Sequence, residues 1–199
     1  MRRFRFLGCA AVITMAACAT RTAGREAVSP TPVNAADVAF MSGMIAHHAQ
    51  AVLIAGWAPS HGASESLRAL CERIVVAQND EIALAQRWLR ERHQPVPPAD
   101  PRGHTMPGMD HPMLMPGMLT PEQMAQLDGA RGREFDRLFL TFMIQHHKGA
   151  ITMVEQLISA PGAAQDGPVF RFAADVNADQ TTEIDRMTRM LEAFTRSPS

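Results

Sequence analysis

Cysteine is scarce in this chain, and what there is cannot build a disulfide scaffold. Of three cysteines, Cys9 and Cys18 fall at the extreme N-terminus. Once an export segment is removed and Cys18 is modified, Cys71 is the one remaining thiol, so stability must come from packing. Cys71 lies in a helical pattern and reads as a small buried hydrophobe. Basic surplus is lacking too. Removing residues 1–17 takes away Arg2, Arg3 and Arg5 and no acid from 19 basic and 20 acidic residues, leaving a formal charge near −4. That excludes a nucleic-acid footprint. No nucleophile elbow, phosphate-binding glycine loop or dinucleotide fingerprint is present, which leaves hydrolase and kinase readings without support.

The apolar run at the N-terminus is short as well. The stretch Phe6–Ala17, preceded by Arg2, Arg3 and Arg5, is too short for a stable membrane span and reads as an export signal. Met15-Ala16-Ala17-Cys18 resembles a lipobox, so the expectation is cleavage after residue 17 and a lipid on Cys18. An ordinary cleavage near Ala17 to Ala23 with a soluble product is the alternative. Residues 18–36, rich in Ala, Thr, Ser and Pro, read as a flexible tether. The chain is expected in a bacterial cell envelope, facing the periplasm, touching the membrane through the lipid alone.

What the sequence does have is an internal repeat. The segment from Asp37 through Phe40, Met44, Ile45, His47, His48 and Ala51 returns as Asp136, Phe139, Met143, Ile144, His146, His147 and Ala150, at a constant offset of 99 residues. Gln78, Glu81, Ile82 and Leu89 return as Gln180, Glu183, Ile184 and Leu191, at an offset of 102. Apolar spacings of three and four in each segment predict helices. Pro59-Ser60-His61-Gly62 and Pro161-Gly162 with Gly167-Pro168 break each copy into a helix pair. The expectation is an all-α, ferritin-like four-helix bundle: repeat 1 over about 37–92, a crossover over 94–121 and repeat 2 over about 134–194. Thr120-Pro121-Glu122 reads as the start of a short helix toward Leu127. Asp37 and Asp136, at helix starts, are either caps or outer supports of a site.

On a helix, residues three and four apart share a face, so Met44 lies beside His47 and His48, and Met143 beside His146 and His147. His47 and His146 continue the core stripe, while His48 and His147 are expected to turn toward the bundle edge. Glu81, Gln78, Glu183 and Gln180 on the partner helices are placed to accept the second ring N–H. Thioether with imidazole suits Cu(I) best and tolerates Cu(II) through the imidazoles. The competing reading is a purely structural, hydrogen-bonded core.

The crossover holds eight of the 14 prolines and cannot stay helical for long. Between His104 and Met118 it carries Met106, Met109, His111, Met113, Met115 and Met118. These thioethers are expected to face water or a metal, unless the segment is merely a disordered linker. Met124, Met153, Met187 and Met190 read as ordinary helix core.

Both copies resemble the signature Asp-x-x-Phe-x-x-x-Met-Ile-x-His-His-x-x-Ala, followed by Gln-x-x-Glu-Ile, of the family catalogued as domain of unknown function 305. The resemblance spans roughly residues 36–192 and implies a ferritin-like four-helix bundle. It also implies kinship with exported copper-binding proteins linked to copper tolerance, whose Met-rich crossover is similar. Ala46 and Gln145 stand where a proline often precedes the two histidines, so straighter helices are expected.

Three functions compete. One is a binder that sequesters copper or passes it to another periplasmic copper protein. Another is a ferritin-like metal-dependent oxidase, although no Glu in the chain is followed by His at the Glu-x-x-His spacing such sites use. The third is an envelope interaction module with a histidine pH switch.

Overall fold

The computed structural model describes residues 33–103 and 113–196. The expected signal peptide, lipidated Cys18 and most of the tether therefore lie outside the described residues, as do Met106, Met109 and His111. Among the described residues, five helices follow one another: α1 Ala35–Gly56, α2 Glu65–Glu91, α3 Pro121–Gly129, α4 Gly132–Ser159 and α5 Gly167–Arg196. The fold is all-α. α1 packs along α2 and α4 along α5, and the two pairs meet chiefly through α1 and α4.

Local chemistry sets the helix starts. Asn34 accepts the N–H of Ala36 at 2.8 Å, so α1 begins just ahead of Asp37. Thr120 and Gln123 close a reciprocal capping box on α3, behind Pro121 in the first turn. α4 has no side-chain cap; its Gly132 N–H donates instead to the His61 carbonyl at 2.8 Å. The His61 ring stacks on Trp57 and contacts the Asp128 carboxylate at 3.1 Å, stapling the α1–α2 turn to α3.

Asp37 and Asp136 do not cap their own helices. Asp37 accepts the N–H of Ala164 at 2.7 Å, in the turn of the second helix pair. Asp136 accepts the N–H of Ser64 at 3.2 Å, in the turn of the first. Each copy thus holds the other copy's turn with a buried carboxylate.

The core forms two apolar clusters. Phe135, Phe139, Leu67, Leu70, Ile54 and Met143 fill one end, and Phe40, Met44, Ile45, Leu89, Val154 and Phe172 the other. Burying each such side chain contributes about 1.5–3 kcal/mol. In all four long helices the clusters change over at the same level: around His47–Gln50, Gln78, His146–His147 and Gln180. A buried polar layer therefore cuts the apolar core at mid-height. α1 is apolar and long enough to cross a membrane, yet 72% of its most apolar window is buried in the bundle, which makes it a core helix here.

Candidate metal centre

The repeat brings its four histidines to one level, and all four are fully buried. The rings of His47 and His146 pack with centroids 3.8 Å apart and planes tilted by 39°, across the contact between α1 and α4. His48 and His147 are as buried as their neighbours rather than turned to an edge, because α2 and α5 cover that side. His48 Nε2 lies 2.9 Å from Glu81 Oε2 on α2, and His147 Nε2 lies 2.6 Å from Glu183 Oε2 on α5. The two outer contacts are related by the repeat.

Hydrogen bonding fixes which ring nitrogens are spoken for. His47 Nε2 donates to the Pro116 carbonyl at 3.1 Å, and His146 Nε2 donates to the His47 carbonyl at 3.0 Å. A carbonyl oxygen can only accept, so Nε2 carries the proton in both rings and Nδ1 keeps its lone pair. His147 Nε2 is held by a carboxylate in the same way. The His48–Glu81 contact is short but bent away from the line of a hydrogen bond. The result is uniform: Nδ1 of all four histidines is buried without a partner.

Burial in an apolar surround, reinforced by the neighbouring imidazoles, holds His47, His146 and His147 neutral. His47 is pushed down from 6.5 to about 3, first by burial and then by His48. His146 is driven well below 6.5 by burial and by His47. His147 is lowered by burial against the opposing pull of Glu183. Neutral imidazole is the ligating form.

Gln78 and Gln180 sit in the same layer, 1% and 2% exposed. Neither makes a hydrogen bond to a histidine: both polar atoms of Gln78 and the Oε1 of Gln180 are unpartnered. Setting aside His48 Nε2, seven buried side-chain N and O atoms of the layer lack a partner. A buried polar atom left without any partner costs about 1–3 kcal/mol. A layer that existed for stability alone would be apolar. Met44 and Met143, both fully buried, stand one turn before the histidines. Among the described residues, no three His, Cys, Asp or Glu side chains stand ready to close around an ion. A metal here would need thioether sulfur beside imidazole.

Of the crossover residues, Met115 and Met118 pack on the bundle, while Met113 is 44% exposed. Gln50, which the repeat pattern does not single out, anchors both ends of this segment. Its Nε2 donates to the Pro101 and Leu119 carbonyls at 3.1 Å each, and its Oε1 accepts the Leu119 N–H at 2.6 Å. Cys71 is buried away from this chemistry, its thiol pushed up to about 12, first by burial and then by Asp136.

Known structures share this architecture. A DUF305 fragment from Deinococcus radiodurans superposes with a TM-score of 0.68 and 26% identity, covering 82% of this chain and 99% of that one. A DUF305 protein from Streptomyces coelicolor gives 0.67 and 27%, covering 79% and 93%. The Cu(I)-bound form of CopM gives 0.61 and 23%, covering 79% and 96%, a likeness of fold; CopM is also known with Cu(II) and with Ag bound. No curated protein matches the chain. The family described as Domain of unknown function (DUF305) matches residues 37–191, so both helix pairs, the histidine layer between them and the crossover lie within the match, and the chain belongs to the DUF305 family.

Proposed function

We propose that this protein is an exported copper-binding protein that sequesters or hands on the ion rather than transforming a substrate. The carrying observation is the set of four buried, partnerless Nδ1 atoms, two from each copy, with Met44 and Met143 one turn away. Their Nε2 atoms face carbonyls or carboxylates, the arrangement that orients imidazole ligands and raises their basicity. Soft thioether and neutral imidazole together favour Cu(I), with Cu(II) held through the imidazoles. Glu81 and Glu183 support the rings, and Gln78 and Gln180 supply further polar atoms to the layer. Met106, Met109, His111, Met113, Met115 and Met118 form an auxiliary set of soft donors. Copper- and silver-bound CopM shares the fold, which supports this reading. The lipid on Cys18 and the periplasmic address belong to the same proposal.

The test is anaerobic titration with Cu(I) against a competing chelator, beside a variant with His47, His48, His146 and His147 all changed to Ala. Loss of the tightest sites in the variant is the expected result. Equal binding by the two proteins would remove the histidine layer from the metal's path.

A further inference from the structure

Glycine inside a helix costs about 0.5–1 kcal/mol relative to alanine, so a glycine on a packed helix face needs a reason. Two such glycines, Gly43 in α1 and Gly149 in α4, are buried and lie beneath the crossover. Both break the repeat: Gly43 stands opposite Phe142, and Gly149 opposite Gln50. A methyl group on Gly149 would land on the Pro116 carbonyl, so this glycine is the seat of the crossover backbone. Gly43 contacts no backbone in this way. A methyl group there would lie 3.3 Å from Met115 Sδ and 3.3 Å from the Met153 methyl. The missing side chain is a slot, and two thioether side chains from different elements meet over it.

A third thioether stands close by. Met118 Sδ accepts the Met115 N–H at 3.3 Å, so both sulfurs belong to one tight turn. Between them Pro116 offers its carbonyl to His47 Nε2. Met118 and Met153 are nearly buried, 4% and 6% exposed, while Met115 is half-buried. We propose that Met115, Met118 and Met153 form a second site for a soft monovalent cation, Cu(I) or Ag(I), over Gly43, and that it serves as a vestibule to the histidine layer. Thioether sulfur selects such ions and rejects hard divalent ones. Met153 lies in α4, outside the crossover, and periodicity gives it only a core role. The vestibule role rests on copper being the cargo of the histidine layer; the thioether site itself does not.

The experiment is Ag(I) titration of protein carrying methyl-labelled methionine, followed by NMR, with Met153→Leu and Met115→Leu beside the unaltered chain. Leucine keeps the volume, a swap that buried sites tolerate. The Met115, Met118 and Met153 methyl signals should move together, and each variant should bind one Ag(I) fewer while keeping the ions held by the histidines. A Met153 methyl that stays still through saturation, or a Met153→Leu protein with a full complement, overturns the site. Loss of ions from the four-histidine variant alone would speak for the histidine layer and against the vestibule. Unchanged binding in that variant, with the three methyl signals still moving, would sink the histidine layer and leave the thioether site standing.

Discussion

The Nε2 of His146 donates to the main-chain carbonyl of His47, and the two rings pack with centroids 3.8 Å apart. One copy of the repeat therefore positions its imidazole on the backbone of the other. Changing His146 to Ala empties a fully buried volume and deletes this bond. The expected cost is about 2–4 kcal/mol, with a melting midpoint several degrees lower. A midpoint unchanged from that of the parent protein would show that the ring pair does not hold the helices.

Glu183 tests the outer contact separately. In Glu183→Gln the side chain keeps its size but loses the charge that faces His147 Nε2 at 2.6 Å. Cu(I) affinity should drop about 10- to 100-fold, the usual penalty for losing such a support, while the helical content stays the same. Glu81→Gln should act alike at His48. Chelator competition measures both, and parental affinity in the two variants would remove the carboxylates from the site.

Acid should weaken the metal-free fold through the same rings. In the unfolded chain the imidazoles of His47, His146 and His147 take up protons near pH 6.5. In the folded chain they stay neutral to lower pH, to about 3 at His47. The unfolded state binds more protons in that window, so stability is present above pH 6.5 and is lost as pH falls toward 3. Each such histidine adds a slope of about 1.4 kcal/mol per pH unit. Denaturant unfolding at pH 7.5, 6 and 5 should show the decline, and His47→Gln should flatten it.

The crossed aspartates hold the two turns, and their loss should read out in stability. Asp37→Ala and Asp136→Ala each strand a turn N–H, of Ala164 or of Ser64, that the carboxylate now accepts. The expected loss is about 1–3 kcal/mol apiece, readable in urea unfolding, with the number of copper ions bound unaltered. Copper loss at parental stability would instead place these residues in the metal's surroundings.

Gly149→Ala should unseat the crossover, since the added methyl collides with the Pro116 carbonyl. Overpacking of this kind costs about 1–3 kcal/mol, and limited proteolysis should cut the crossover faster in the variant. Cutting at the parental rate would contradict the seat.

Periodicity made the helix pairs, their turns and the capped α3 readable in the sequence, because each depends on residues near one another in the chain. The coincidence of four histidines was legible through the repeat. Their equal burial was not: the 100° between neighbours suggested an edge position for His48 and His147, and only the packing of α2 and α5 shows that side to be covered. Asp37 and Asp136 looked like caps because a helix start explains an acid locally, whereas their partners lie across the bundle. Gln50, Gly43 and Gly149 went unread because their roles depend on where the crossover lands. A signal was nonetheless available, since each stands where one copy departs from the other.

The exchange of aspartates and of the His146–His47 bond means that neither helix pair is finished on its own. Each would leave a histidine stripe open to water and an acid without its turn. Each helix pair is completed by the other as a subunit is in a dimer, but within one polypeptide whose halves need not be identical. A symmetric pair of separate chains would have to carry either glycine or glutamine at both equivalent positions. A single chain lets Gly149 cradle the crossover while Gln50 pins its ends, so a two-fold scaffold acquires a front and a back.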